Sequence, residues 1–272
     1  DKNLVKGSDP LFVTEQGDSV LPRGTVTIRE TKAPAGYLLD KTVYTKKIDG
    51  DGSGTAVYFN SGLPSSHVNN PAVPKIGTKA MDISTEESLA MYGKKTKVKD
   101  IVSFSNLYEG ETYTLEGVLM DKSTGKPIEQ GGNKVTSEKE FTVTAQNATI
   151  ADSIATGQIE LEFSFDTTKL AGKDTVVFET LKHKGKEIAS HRDINDVNQT
   201  LRHPEIKTQA HSVESGTNIG APNKEEIIVD KVRYKNLIIG KKYKVTGVLM
   251  DKEKNKPILD REDKEISAEK EF

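Results

Sequence analysis

The 272 residues include no cysteine and no tryptophan, and only 6 % of them are aromatic. Without cysteine no disulfide can form, which suits either a reducing cytosol or an exterior protein that avoids thiols. No stretch approaches the roughly 20 apolar residues that span a membrane. The 39 basic and 41 acidic residues are interspersed, so no basic face for nucleic acid is predicted.

The remaining composition favours slim β-domains over a conventional enzyme. Hydrophobic residues make up 34 % and charged residues 29 % of the chain, which is lean for a large core but sufficient for sandwiches with a large surface. The length accommodates two or three domains. The chain begins at Asp1 with neither a methionine nor a signal peptide, so we expect a segment of a longer protein.

An internal repeat organises the chain. The motif G-V-L-M-D-K occurs at 117–122 and again at 247–252, an offset of 247 − 117 = 130 residues. The same offset takes Thr78 to Thr208. A repeat of this length is one domain's worth of chain.

Three segments follow from the repeat. Residues 74–203 form a complete copy, whereas residues 204–272 match only its N-terminal half and are truncated. Residues 1–73 differ from the repeat and are predicted to be the C-terminal part of a smaller β-domain with a linker. The linker is punctuated by prolines (Pro64, Pro71 and Pro74).

The hydrophobic periodicity is that of strands. Residues 113–120 alternate with a period of two, and the D-K-S-T-G-K-P segment that follows is typical of a hairpin turn. Residues 84–92 are expected to form only a turn or loop. Many short strands without long helical patterns predict an all-β fold of tandem immunoglobulin-like sandwiches in a linear array. The other predicted strands are 25–31, 41–48, 55–60, 139–144, 158–165, 175–181 and 186–191.

Several motifs, in order, resemble modules of Gram-positive surface proteins. Residues 24–37, G-T-V-T-I-R-E-T-K-A-P-A-G-Y, resemble the E-box end of Cna-B-type domains, the small sandwich modules of adhesins and pilins. Residues 74–203 resemble the VaFE repeat, the intramolecular ester-bond domain of such adhesins. The second resemblance rests on I-G-T-K-A at 76–80, V-V-F-E at 176–179 and H-R-D-I-N-D-V-N-Q-T at 191–200.

The resemblance to the VaFE repeat implies a set of reacting residues. In that family, a threonine on the first strand attacks a glutamine on the last strand, which expels ammonia and leaves an ester. By position the nucleophile is Thr78 and the acceptor is Gln199. The assisting groups implied are Glu179, His191 and Asp196, and a short Lys-Gly-Lys hairpin is expected to hold the first two of these on adjacent strands.

These roles suit the chemistry of the residue types. A threonine hydroxyl is a weak nucleophile and a carboxamide a poor electrophile, so both need assistance. His191 is expected to take the hydroxyl proton while Asp196 orients the imidazole. Glu179 lies in an apolar strand, so a raised pKa should keep it protonated. It would then polarise the Gln199 carbonyl and protonate the departing ammonia.

The outer segments carry weaker candidates. Thr208 is the expected nucleophile of the second repeat, but its reaction partners do not occur within the sequence, so only one ester is expected. The Cna-B resemblance identifies Glu30 as the E-box glutamate that promotes a Lys–Asn isopeptide bond. Asn69 and Asn70 remain alternative acceptors, and no attacking lysine is identified.

Other acidic residues are interpreted as structural. Asp49 and Asp51 in D-G-D-G-S-G partly fit a calcium loop, but the twelfth position is Asn60 rather than glutamate. A glycine turn is therefore preferred, and no metal or cofactor is predicted. Asp100 and Asp230 recur in the repeat and are also interpreted as structural.

The combined interpretation is a structural stalk segment of an extracellular, cell-wall-attached adhesin or pilus-like protein. An autocatalytic Thr78–Gln199 ester would resist mechanical and proteolytic stress, with no partner required. A host surface protein or glycan would be bound by parts outside this chain. The alternative is a module that itself binds a host protein or glycan. A multiple-turnover enzyme is not expected, because G-x-S-x-G, H-E-x-x-H and glycine-rich phosphate motifs are absent.

Overall fold

The computed structural model describes residues 12–13, 15–17, 19–20, 23–34, 36–49, 69–220 and 225–272. Every regular element in these residues is a β-strand, which confirms the predicted all-β class. None of them belongs to a helix that could cross a membrane. The described residues divide into two compact units: those within 1–75, 104–112 and 142–158 form the first, and those within 76–103, 113–141 and 159–272 form the second.

The N-terminal segment contains short antiparallel pairs. Its strands are β1 (Phe12–Val13), β2 (Ser19–Val20), β3 (Gly24–Arg29) and β4 (Val43–Ile48). β1 pairs with β2, and β3 pairs with β4. The β-branched run T-V-T-I of β3 suits a strand. The strands predicted at 25–31 and 41–48 are confirmed, and the one predicted at 55–60 lies outside the described residues.

The first copy of the repeat, residues 74–203 (the central domain), contains twelve strands. Its strands are β5 (Lys75–Asp82), β6 (Thr96–Tyr108), β7 (Thr112–Asp121), β8 (Lys126–Pro127), β9 (Glu129–Gln130), β10 (Asn133–Lys134), β11 (Thr136–Thr142), β12 (Ala148–Ala151), β13 (Ile154–Phe165), β14 (Asp174–His183), β15 (Lys186–His191) and β16 (Thr200–Arg202). The strands predicted in this region are confirmed as β7, β11, β13, β14 and β15, with ends that differ by a few residues.

Two sheets frame this domain. One has the order β11-β7-β14-β15, with β8 added to β7 and β16 added to β14, and the other has the order β12-β13-β6-β5. At Gly117 on β7, the first sheet lies close to β13 of the second sheet. A Cβ atom on this glycine would lie 2.6 Å from Phe163 Cζ and 2.9 Å from Leu161 Cδ1 on β13. The two sheets therefore pack face to face around a shared core, as in a sandwich.

The segment 84–92 forms turns and bends without a helix, which confirms the prediction. The buried carboxylate of Asp82 organises it. Asp82 Oδ1 accepts hydrogen bonds from the nitrogen (2.8 Å) and Oγ (2.6 Å) of Ser84, and Asp82 Oδ2 accepts one from Met91 N at 2.9 Å. This network satisfies the buried charge within the loop.

Residues 204–272 repeat the first part of this architecture. The strands are β17 (Glu205–Ser212), β18 (Ile228–Lys235), β19 (Lys244–Val248), β20 (Met250–Asp251), β21 (Lys256–Pro257) and β22 (Ser267–Glu271). β17 pairs with β18, β19 with β22, and β20 with β21, all antiparallel. By the 130-residue offset, β17 and β18 correspond to β5 and β6.

Candidate cross-linking site

Glu179 owes its place at the centre of the site to its register on β14. Val177 and Leu181 lie on the same face, and all three side chains are buried. The antiparallel pairing sets Gly117 of β7 opposite Glu179 on one side and His191 of β15 on the other. The Lys-Gly-Lys turn therefore does hold the glutamate and the histidine on adjacent strands, which confirms the prediction.

The return of the chain to this sheet brings Gln199 to Glu179. Thr200 pairs with Val176 of β14, and the residue before it, Gln199, is buried. The side-chain nitrogen of Gln199 donates to both carboxyl oxygens of Glu179, at 2.7 Å each. The side-chain oxygen of Gln199 is also buried and accepts no hydrogen bond from the described residues. The glutamate thus faces the nitrogen that would leave, not the carbonyl oxygen.

Thr78 on β5 reaches the same nitrogen. Gln199 Nε2 donates to Thr78 Oγ1, although the two residues are 121 apart in the chain. A backbone hydrogen bond of 3.0 Å from Ala80 N to Asn198 O ties β5 to the segment that carries Gln199. Because Thr78 is half-buried while Gln199 is 0 % exposed, the contact is shielded from solvent mainly on the glutamine side.

His191 and Asp196 form the predicted pair. His191 Nε2 lies 2.9 Å from Asp196 Oδ2, and Asp196 Oδ1 accepts a hydrogen bond from Asn198 N at 2.8 Å. With the hydrogen on Nε2, the Nδ1 atom carries the lone pair that a base needs. No hydrogen bond joins His191 to Thr78 among the described residues. The structure therefore places the histidine beside Glu179 rather than on the hydroxyl.

Asp100 belongs to the site, which the structural interpretation of this residue missed. It lies on β6 between the buried residues Val98 and Val102, and it is 0 % exposed. Neither of its carboxyl oxygens makes a hydrogen bond of standard geometry with the described residues. It is nevertheless close enough to Glu179 for each carboxyl to change the pKa of the other. The sequence does contain a sign of this role, because Asp100 alternates with apolar residues that point into the core, and a buried carboxyl needs a partner.

The two buried carboxyls hold their protons unequally. Burial raises the pKa of Glu179, and the nearby charge of Asp100 raises this pKa further, against the hydrogen bonds from Gln199, which lower it. Burial also raises the pKa of Asp100, but contact with Glu179 and the charge of His191 oppose that rise. At neutral pH the pair therefore retains a proton, and the proton resides on Glu179.

The arrangement suits acyl transfer from nitrogen to oxygen. A hydroxyl, an amide and a protonated carboxyl meet in a site that the fold assembles, so the reaction is intramolecular. Glu179 on the amide nitrogen is placed as a general acid for the leaving group. The expectation that Glu179 also polarises the Gln199 carbonyl is not met, because no described residue donates to that oxygen.

A second carboxyl–amide pair occurs in the N-terminal segment. Asn69 Nδ2 donates to Glu30 Oε2 at 2.6 Å and to Leu38 O at 3.0 Å. The same Glu30 oxygen accepts a hydrogen bond from Asp40 N at 2.7 Å. Of the two acceptors that the sequence left open, Asn69 rather than Asn70 thus contacts the E-box glutamate. The lysines of residues 1–11 lie outside the described residues.

Thr208 occupies the matching position of the second copy. It lies on β17 opposite Val232, and Asp230 lies opposite Ala210. Both Thr208 and Asp230 are exposed, whereas the buried Asp100 is the counterpart of Asp230. Within the part of the chain that the structure describes, no glutamine side chain donates a hydrogen bond to Thr208 as Gln199 does to Thr78, so a second site is not assembled there.

No cluster of His, Asp or Glu able to hold a metal ion occurs among the described residues. Asp49 directly follows β4, but Asp51 and the rest of its turn lie outside the described residues. The calcium interpretation of that turn therefore concerns a part of the chain that the structure leaves out.

Comparison with known proteins adds family matches and structural neighbours. The model described as the T-Q ester bond containing domain matches residues 74–203 and 204–272, and a prealbumin-like fold domain of the SpaA type matches residues 15–62. No curated protein matches the chain significantly.

Two crystal forms of a Mobiluncus mulieris adhesin are similar to the chain. That adhesin contains intramolecular disulfide, isopeptide and ester bond cross-links. Both forms are 15 % identical and cover 67 % of this chain, with TM-scores of 0.42 and 0.41 and coverage of 90 % and 91 % of the adhesin. A variant of the major pilin subunit of Bacillus cereus is 16 % identical with a TM-score of 0.22, covering 97 % of this chain and 75 % of the pilin.

The two matches to the ester-bond model together span most of the chain. The first includes both Thr78 and Gln199, the residue types that the family description names, and the structure brings their side chains into contact. The chain belongs to the family of T-Q ester bond containing domains.

Proposed function

We propose that residues 74–203 cross-link themselves through an ester between Thr78 Oγ1 and Gln199 Cδ, and that the domain serves as a structural stalk segment of a bacterial surface adhesin or pilus. The observation that carries this proposal is the meeting of Thr78, Gln199 and Glu179 in the core. Membership of the ester-bond family supports the same reaction.

The reaction balances among groups of the chain itself. The bond from Thr78 Oγ1 to Gln199 Cδ forms, and the bond from Cδ to Nε2 breaks. The imidazole of His191 turns from its place beside Glu179 to Thr78 and takes the hydroxyl proton. Glu179 gives its proton to the nitrogen, which leaves as ammonia. His191 then returns a proton to Glu179, its cross-strand neighbour, so that the carboxyl ends in its starting state.

The two aspartates support these transfers. Asp196 holds the imidazole and stabilises its protonated form. The charge of Asp100 keeps the proton on Glu179 until the leaving nitrogen requires it. Because Gln199 is consumed, each domain reacts once and is not a turnover enzyme. Burial around Gln199 keeps water from the ester after it has formed.

A Thr78–Gln199 bond would change how the domain bears load. It joins β5 to the segment just before β16, so tension applied at the two ends passes through a covalent bond rather than through the hydrogen-bonded ladders. On the loop-closure model, a cross-link closing a loop of this size also stabilises the domain by about 5 kcal/mol. In a chain without cysteine, the ester takes the role of a disulfide.

The same proposal places the chain outside the cell, in a protein attached to a Gram-positive cell wall. The prealbumin-like match at residues 15–62 supports this, since the E-box motif of residues 24–37 resembles modules of adhesins and pilins. A host protein or glycan would then be bound by other parts of the protein, and the present segment would hold those parts away from the surface.

Intact-mass spectrometry on the full chain tests the ester. The unsubstituted protein is expected to be lighter than the mass calculated from its sequence by one ammonia. Thr78→Ala cannot form the ester, so its mass should equal the mass calculated from its own sequence. Thr208→Ala, the exposed counterpart in the second copy, is the matched control and should leave the mass deficit unchanged. Peptide mapping should recover the segments around residues 78 and 199 joined. If a folded, unsubstituted sample had the full mass calculated from its sequence, the ester proposal would be wrong.

A further inference from the structure

Each copy of the repeat carries an asparagine with a left-handed backbone at the same position. Asn106 on β6 and Asn236, directly after β18, both have a φ of 63° and are one repeat offset apart. Glycine adopts this conformation freely and other residues rarely do, and the chain does use glycine for it elsewhere, as at Gly110 with a φ of 79°. The preceding residues differ, being Ser105 and Lys235. Retention of asparagine in both copies indicates that its side chain is needed.

Both asparagine side chains donate to chain that precedes their own copy of the repeat. Asn106 Nδ2 donates to the carbonyl oxygen of Val73 at 2.8 Å, and Val73 is the last residue before the first copy. Asn236 Nδ2 donates to the carbonyl oxygen of Lys173 at 2.9 Å and to Asp174 Oδ1 at 3.0 Å, both in the first copy. In each copy of the repeat, therefore, the equivalent asparagine binds a residue that precedes that copy in the chain.

The difference in partner has a local cause. His203 takes the place of Val73 before the second copy, and its carbonyl oxygen already accepts a hydrogen bond from Gly172 N at 2.9 Å. Lys173, the residue after Gly172, accepts a hydrogen bond from His203 N at 3.1 Å through its carbonyl oxygen. That oxygen has a second lone pair, which accepts the hydrogen bond from Asn236. The asparagine therefore binds the backbone that anchors the end of the preceding domain.

Two further contacts join the second copy of the repeat to the first. Lys241 Nζ is 2.5 Å from Glu87 Oε1, and Glu205 lies against Gly172, where a Cβ atom would come within 3.1 Å of its Oε2. The ion pair is largely exposed, so salt screens it. The bond from Asn236 to the Lys173 carbonyl joins neutral groups and should persist at high salt.

We propose that this asparagine is a junction residue, which docks each copy of the repeat onto a part of the chain that precedes that copy and restricts the angle between the two. What it recognises is a backbone carbonyl of the preceding chain. In the second junction this is the Lys173 carbonyl, which also holds His203 N at the end of the first copy, and the Asp174 carboxylate beside it accepts as well. A further copy of the repeat with asparagine at this position would dock in the same way. This inference does not depend on the ester.

Spin-label distance measurements on the full chain test the junction. Because the chain has no cysteine, labels can be placed uniquely through Glu140→Cys on β11 and Glu253→Cys in the turn after β20, both exposed. The unsubstituted chain is expected to give a narrow distance distribution. Asn236→Gly keeps the backbone conformation but removes the donor, and it should at least double the width of the distribution.

The matched control is Asn255→Gly. Asn255 also has a positive φ, of 52°, but lies exposed in a turn, so the substitution relieves the same backbone strain without touching the junction. Asn236→Asp, which tolerates the conformation but cannot donate and repels Asp174, should broaden the distribution as Asn236→Gly does. Equal widths for Asn236→Gly and Asn255→Gly, a narrow distribution for Asn236→Asp, or broadening by high salt alone would each overturn the proposal.

Discussion

Glu179 contacts the side-chain nitrogen of Gln199 through both of its carboxyl oxygens, each at 2.7 Å, where neither residue is exposed to solvent. An ionised glutamate there would place a second negative charge beside Asp100 in the core, which is costly without a compensating cation. Burial and the charge of Asp100 raise the pKa of Glu179 and favour the protonated carboxyl, although the hydrogen bonds from Gln199 lower this pKa. The contact identifies the nitrogen as the group that the carboxyl serves.

Glu179→Gln should separate acid catalysis from packing. Glutamine preserves the shape of the side chain but cannot donate an acidic proton, so we expect ester formation to slow by roughly 10²–10⁴-fold. Intact-mass measurements shortly after refolding should show the unreacted chain. Glu162→Gln, on the exposed face of β13, is the control and should react as the unsubstituted protein does. Rapid loss of ammonia from the Glu179 variant would contradict its role.

The rate of ester formation should depend on pH through Glu179. Because the pKa of this carboxyl is raised, the reactive acid form persists at neutral pH, and the rate should fall as alkaline pH removes the proton. Asp100→Asn removes the neighbouring negative charge, so the pKa of Glu179 should fall and the alkaline loss of rate should move to lower pH. Quenched refolding followed by mass spectrometry measures both profiles. An unmoved profile would show that Asp100 does not act on Glu179.

His203 should make the domain sensitive to acid. Burial lowers the pKa of His203 from its ordinary value of 6.5 to about 4, so the unfolded chain binds the proton more tightly than the folded one. Stability is therefore complete above about pH 6.5 and falls as the pH drops toward 4, by roughly 3 kcal/mol in all. Urea unfolding of Thr78→Ala, which lacks the cross-link, measures this loss.

The contribution of His203 is isolated by substitution in the same background. His203→Gln should lose less stability between neutral and acid pH than the parent. His203 Nε2 lies 3.0 Å from Thr175 Oγ1, and glutamine can retain a hydrogen bond to that hydroxyl. Identical pH dependence of the parent and His203→Gln would disprove the assignment.

Gly117→Ala should destabilise the central domain. The added methyl group would lie 2.6 Å from Phe163 Cζ and 2.9 Å from Leu161 Cδ1, so the core must shift, at a cost of about 1–3 kcal/mol. Gly247 is the equivalent residue in the second copy, and a Cβ atom there meets nothing within 4 Å. Gly247→Ala is therefore the control, and thermal unfolding in the Thr78→Ala background should distinguish the two. Equal unfolding temperatures would mean that the sheets do not pack as described.

Much of the fold follows from local pattern. The alternation of apolar and polar residues in β7, β13 and β14 identifies strands, because successive side chains on a strand point to opposite faces. The short turn after β14 was sufficient to predict that Glu179 and His191 are neighbours, since a tight hairpin sets the register of the strands it joins. These inferences require only residues close together in the chain.

The β class, the 130-residue repeat and the candidates Thr78 and Gln199 could all be predicted from the amino-acid order, because they depend on periodicity and on motifs in sequence. Three features are visible only in the folded molecule: Asp100 joins Glu179, Glu179 faces the amide nitrogen, and Asn69 contacts Glu30. Each of these depends on the packing of elements distant in sequence, which local periodicity does not encode. The bond proposed between residues 121 apart is available only once that packing has formed.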